Sequence, residues 1–205
     1  MSLNTLYGIN GVGKDTVAEG LRQSVDRQLI VTSMSRLSMY LLGITKSFDV
    51  TREVPEDAYR RLEQVSQPEM IALENGPYKE MVGELAQGND RALLLGHLVS
   101  ALHLGNSINY LTDRLTPDWY VENNTSIVQL TAPPEVIAQR RIRDVSDGVR
   151  SRPIEIDQIV KHQELCDHEW SRIEAGLVQP DKGMHIIENR NLDASVSELR
   201  KVFYG

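Results

Sequence analysis

A chain of 205 residues, 40% hydrophobic and 25% charged, has the size and composition of one globular α/β domain with room for a mobile subdomain. The net charge of −7 excludes a diffuse basic surface for nucleic acid, so any bound nucleotide must be met by local positive charge. Cys166 is the single cysteine, which rules out an intrachain disulfide and a thiolate zinc set and fits a reducing cytoplasm. No stretch approaches the roughly 20 apolar residues of a membrane span, and no basic, apolar signal peptide opens the chain.

The chain begins with Leu3-Asn4-Thr5-Leu6-Tyr7, a short run of strand character. Gly8-Ile9-Asn10-Gly11-Val12-Gly13-Lys14-Asp15-Thr16 follows, and a helix is predicted over Thr16–Arg27 from Val17, Leu21 and Val25. Strand, glycine-rich turn and helix in this order are the context of a P-loop. Its glycines let backbone N–H groups turn inward around phosphate oxygens, and the helix N-terminus adds partial positive charge. Gly8, Asn10, Gly11, Val12, Gly13, Lys14, Asp15 and Thr16 are therefore the candidate nucleotide-binding residues, with Lys14 as a mobile charge for the β- and γ-phosphates. Asp15 takes the place where most P-loops carry Ser or Thr, and Thr16 comes one residue later.

A second strand is predicted over Gln28–Ser33 and a short helix over Ser35–Ile44, with Arg36 near its start. Arg36 is either an anchor for an anionic acceptor or a solvated first-turn residue. Glu56–Glu74 reads as a helix that Pro68 breaks or restarts, and Tyr78–Gln87 as another. Arg91–His97 contains a continuous apolar run, as in a central parallel strand covered on both faces. His97 then lies at a carboxyl end, where ligands of such sheets collect; the alternative is a structural histidine. Gly96 stands where many P-loop enzymes carry the aspartate of the magnesium shell. Within Ser100–Thr116, Gly105-Asn106-Ser107 reads as a loop and Tyr110–Leu115 as a turn of helix or irregular structure, and Pro117-Asp118-Trp119-Tyr120 as the opening of a short helix. Ser126–Thr131 is a strand, and Pro134–Arg143 a helix opened by proline.

Arg140, Arg141, Arg143, Arg150 and Arg152 fall within thirteen residues of an acidic chain. Arg140 and Arg143 are three apart and share a helix face. Arginine supplies bidentate, permanently charged donors to the charge that develops during phosphoryl transfer, and a closing loop excludes water. A solvated run paired with Asp144 and Asp147 is the competing reading. The chain closes with a long helix over Ile154–Gly176, a strand over Met184–Glu188 and a helix over Ala194–Phe203.

Taken together, these segments resemble the archaeal-type adenylate kinases and their small P-loop nucleoside monophosphate kinase relatives. The likeness rests on Gly-Val-Gly-Lys-Asp-Thr at 11–16, Val-Thr-Ser…Ser-Arg-Leu at 31–37 and Leu-Leu-Leu-Gly-His at 93–97. It also rests on Leu130–Asp144 with Arg150-Ser151-Arg152. The resemblance implies a P-loop NTPase three-layer αβα sandwich with a five-stranded parallel sheet, an acceptor-binding helical part near 34–90 and a short arginine-rich lid near 141–153. It implies transfer of the γ-phosphoryl of ATP, with magnesium, to a nucleoside monophosphate. Lys14 would hold phosphates, Thr16 would face magnesium, and Ser33, Arg36 and His97 would lie on the acceptor side. Arg140 and Arg143 would contact ATP, and Arg150 and Arg152 would close on the transferred group. Two further readings stay open: a non-nucleotide acceptor, and a nucleotide-binding switch with little turnover.

Overall fold

The computed structural model describes residues 3–25, 29–87, 91–97, 99–104, 107–112, 124–146, 154–176 and 183–205. Five strands form one parallel sheet: β1 (Leu3–Tyr7), β2 (Leu29–Ser33), β3 (Arg91–Gly96), β6 (Asn124–Thr131) and β7 (Gly183–Glu188), in the order β2-β3-β1-β6-β7. β1 lies at the centre, in register with β3 from Leu3↔Ala92 to Tyr7↔Gly96. Its other neighbour is β6, with Thr5 opposite Ile127 and Leu6 opposite Val128. Leu93, Leu94, Leu95, Val128 and Leu130 are all buried. Consecutive residues on a strand face opposite sides of the sheet, so such unbroken burial requires layers on both faces.

Helix α1 (Lys14–Ser24) follows β1 and buries Val17, Ala18 and Leu21. Helix α2 (Met34–Leu41) follows β2 directly, with Ser33 as its N-cap. The predicted helix over 56–74 is two helices, α3 (Ala58–Glu63) and α4 (Gln67–Asn75). The break falls just before Pro68, which sits in the first turn of α4 beside a capping box between Ser66 and Glu69. Proline there starts a helix, since the N–H it lacks has no partner in a first turn. Helix α5 (Pro77–Gln87) completes the helical part before β3.

The segment read as irregular over 100–116 departs most from expectation. Strands β4 (Val99–Leu104) and β5 (Ser107–Thr112) pair antiparallel, from Val99↔Thr112 to Leu104↔Ser107. Neither alternates cleanly between apolar and polar residues, so the strand signal emerges only from their mutual pairing. Residues 113–120, including the helix start predicted at Pro117, lie outside the described residues.

Helix α6 (Pro134–Ser146) follows β6, α7 (Ile156–Gly176) crosses before β7, and α8 (Leu192–Tyr204) ends the chain. The core is closed by Ile137 of α6, Ile159, Cys166 and Trp170 of α7, and Leu199 and Phe203 of α8. Among the described residues no helix is long and apolar enough to cross a membrane.

Candidate active site

A cleft of about 870 Å3 opens at the carboxyl ends of the strands. Its wall is formed by Ile9, Asn10, Gly11 and Gly13 after β1, Ser33 at the end of β2, Leu95 and His97 at β3, and Asn189 after β7. β1 has one neighbour that follows it through β2 and another, β6, on its far side. That divergence of connections opens a crevice beside the β1 turn.

The predicted P-loop lines this cleft through Asn10, Gly11, Gly13, Lys14, Asp15 and Thr16. Gly11 and Gly13 have φ of 87° and 96°, values that side-chain-bearing residues rarely adopt. Val12 between them is fully buried and anchors the loop in the core. Helix α1 starts directly behind, with no side-chain cap at its N-terminus. Its first N–H groups lack partners within the helix and, with the dipole, favour an anion there. Lys14 is buried; its Nζ donates to the carbonyls of Gly8 at 2.6 Å and Ile9 at 3.3 Å and lies 3.5 Å from His97 Nδ1. Asp15 and Thr16 are exposed to the cleft.

Two arginines of α6 reach the outer side of the loop. Arg140 Nη1 donates to the Val12 carbonyl at 2.6 Å and Nη2 to the Asn189 carbonyl at 3.2 Å. Burial lowers the pKa of Arg140 from its ordinary value, and the nearby Arg143 charge adds to the effect. Arg141 is 3% exposed and donates to the Asn10 carbonyl from Nε at 3.0 Å and from Nη2 at 2.8 Å. Asn189, at the end of β7, donates from Nδ2 to the Val12 carbonyl at 2.8 Å. Its own Oδ1 accepts from Ser195 Oγ at 3.1 Å.

Arg36 stands on the opposite side of the cleft. The Ser33 side chain caps α2 by accepting from the Arg36 N–H at 3.2 Å. The following segment is tied to β2, since Val50 N–H donates to the Val31 carbonyl at 2.9 Å and Thr32 Oγ1 to the Phe48 carbonyl at 2.8 Å. This brings the Val50 carbonyl within 3.2 Å of Arg36 Nη2. Arg36 is only 8% exposed, and its Nη1 is buried without a hydrogen-bond partner among the described residues. Thr51, Tyr59 and the Glu19–Arg22 pair line the same end. Arg22 bridges Glu19 at 2.7 Å and holds the Glu19 pKa below the usual carboxylate value, with help from Gln23.

Among the described residues no group of three or more His, Cys, Asp or Glu side chains is placed to hold a metal ion. Gly96 leaves no carboxylate at the end of β3. The Thr16 hydroxyl, exposed to the cleft, is a hard oxygen donor of the kind magnesium takes beside phosphates and waters.

The predicted site residues divide clearly. Asn10, Gly11, Gly13, Lys14, Asp15, Thr16, Ser33, Arg36, His97 and Arg140 share the cleft wall. Gly8 acts through its carbonyl on Lys14, and Val12 through packing. Arg143 is exposed and is not part of the wall. Arg150, Arg152 and the rest of the lid beyond Ser146 lie outside the described residues, whereas 141–146 belong to α6. Arg141 and Asn189 were not singled out from the sequence. Arg141 carried a usable signal, since it lies one turn from the buried Ile137 and shares its face. Asn189 carried none, because its partner Val12 is far away in the chain.

No protein-family model matches this chain, and no curated protein sequence does. Solved structures do. The chain is similar to shikimate kinase from Acinetobacter baumannii, solved in complex with shikimate, with a TM-score of 0.54 and 16% identity over 98% of this chain and 93% of that one. It is also similar to shikimate kinase from Bacteroides thetaiotaomicron, with a TM-score of 0.53 and 14% identity over 98% of this chain and 97% of that one. The fold is shared with these two shikimate kinases, and the five-stranded parallel αβα architecture expected from the sequence is present.

Proposed function

We propose that this chain is an ATP-dependent phosphotransferase that moves the γ-phosphoryl group to a small anionic acceptor. The observation that carries this reading is the pairing of two anion sites across one cleft. The P-loop with Lys14 forms one, and the buried Arg36 guanidinium, with Nη1 lacking a partner among the described residues, forms the other. A buried, unpaired guanidinium N–H is costly, and a carboxylate or phosphate would satisfy it bidentately.

In the reaction, an acceptor oxygen bonds to the γ-phosphorus as the bond to the β,γ-bridging oxygen breaks, and ADP leaves. Lys14 neutralises charge on the phosphates, the N-terminus of α1 holds them, and Arg36 orients the acceptor. Magnesium, met by Thr16, would offset charge on the phosphate oxygens. A phosphate acceptor needs no proton removed, whereas a hydroxyl acceptor does; His97 is the titratable group beside Lys14.

Two acceptor classes satisfy Arg36. The likeness to adenylate kinases in the P-loop and arginine segments favours a nucleoside monophosphate. The likeness in fold to shikimate kinases favours a carboxylate-bearing alcohol. Phosphoryl transfer from ATP with magnesium, run across AMP, CMP, UMP, GMP, dTMP and shikimate with a no-acceptor control, tests the reading. Transfer to one compound identifies the acceptor class. ATP binding with no transfer to any anionic acceptor would reject the kinase reading in favour of a nucleotide-binding switch.

A further inference from the structure

We propose that Arg141 and Asn189 are positioning residues that preset the P-loop for phosphate by fixing the direction of two peptide groups. The inference rests on the phosphate-binding reading of that loop. In a planar trans peptide the carbonyl of one residue and the N–H of the next point in opposite directions. The Asn10 carbonyl is held on the α6 side by both Nε and Nη2 of Arg141. The Gly11 N–H is thereby turned away from α6. The Val12 carbonyl is held by Asn189 Nδ2 and by Arg140 Nη1. The Gly13 N–H is turned the opposite way in the same manner. Gly11 and Gly13 both line the cleft.

Glycine at these positions makes the loop flexible when nothing restrains it, because its unfolded and alternative conformations are many. Two peptide flips would remove two donors from the phosphate cradle. Arg141 and Asn189 are each 3% exposed, so their hydrogen bonds do not compete with bulk water. Asn189 is itself aimed by Ser195 Oγ and by its backbone N–H, which donates to the Thr131 carbonyl at 2.7 Å. The space at the two glycines shows the same fit. A Cβ on Gly11 would lie 3.0 Å from Arg141 Cγ, and one on Gly13 would lie 2.6 Å from Asn189 Nδ2. The glycines therefore allow the positive φ and also the close approach of the two restraining side chains. Neither restraining side chain needs to touch nucleotide to act in this way.

The test uses the full chain and inorganic tripolyphosphate, which has no base or sugar, as the probe in calorimetric titrations. Arg141→Lys keeps the charge but gives up the two-point contact. Asn189→Ala removes the second restraint with little change in charge. The expected result is binding weaker by about tenfold for Arg141→Lys and about fivefold for Asn189→Ala. Asn189→Ala should lower the unliganded unfolding midpoint modestly, since the Val12 carbonyl and the Ser195 hydroxyl each lose a buried partner, so affinities are compared well below the midpoint of each protein. The amide NMR signals of Gly11 and Gly13 should broaden or shift in both variants. Affinity within twofold of the parent in both variants, or unaltered Gly11 and Gly13 signals, would overturn the inference. Absence of tripolyphosphate binding in the parent chain itself would instead overturn the phosphate-site reading and this inference with it.

Discussion

The Tyr7 ring stands where a side chain on Gly96 would begin. An added Cβ at Gly96 would lie 2.8 Å from Tyr7 Cε1 and 3.0 Å from Cδ1. The two residues are register partners on β1 and β3, so neither can move away without shifting the sheet. Tyr7 and Gly96 thus form one packing unit, and an aspartate at position 96 requires the Tyr7 ring to shift. We expect Gly96→Asp to cost about 1–3 kcal/mol of stability, as overpacking of a filled site does. Urea denaturation of Gly96→Ala and Gly96→Asp measures this; an unchanged midpoint in both would show that Tyr7 yields freely.

If the proposed phosphate site holds, Lys14→Ala is expected to lower phosphoryl transfer by about 100-fold or more, because no other residue of the loop over 8–16 carries a positive charge. The far-ultraviolet circular dichroism spectrum should be unchanged. Normal turnover in this variant would sink the assignment of the site.

Arg36→Lys keeps a positive charge but loses the planar fork. The expected outcome is a KM for the acceptor raised about tenfold with the KM for ATP unchanged. A rise confined to ATP would place Arg36 with the nucleotide, contrary to its position beside Val50 and away from the loop.

At the far end of α8, the Tyr204 hydroxyl is buried without a hydrogen-bond partner among the described residues, and its ring centroid lies 4.2 Å from the Arg91 guanidinium. Burial raises the Tyr204 pKa, with Arg91 acting in the opposite direction. An unfolded tyrosine ionises near pH 10, about its ordinary value. Above that pH the unfolded chain releases a proton that the folded chain retains, so stability falls as pH rises. Tyr204→Phe keeps the ring under Arg91 and removes the hydroxyl. Stability at neutral pH should be unchanged or raised by up to about 1 kcal/mol, and the alkaline decline should be shallower. Denaturation at pH 7 and about pH 11 checks this; equal alkaline losses in both proteins would reject it.

Much of this protein is decided by short-range pattern. The P-loop was legible because its spacing, its glycines and the apolar strand before it are contiguous, so local conformation and chemistry coincide in nine residues. The strand over 91–97 announced itself as an unbroken apolar run, and Arg36 as a cation near the start of the helix after the second strand. What required the tertiary structure is whatever depends on partners distant in sequence. The antiparallel pair β4 and β5 alternates only in part, and its strands are defined by their pairing. The choice between Arg140, Arg141 and Arg143 turned on which face of α6 meets the loop after β1, and helical spacing alone put Arg140 with Arg143. Packing buried Arg141 against Asn10 and left Arg143 exposed. Asn189 joined the site because β7 is added at the edge of the sheet next to β6, which carries its end to the P-loop. Local sequence thus set the glycine-rich turn and the helix behind it, and the order of strands decided which side chains bond its carbonyls, since only the folded sheet brings those ends together.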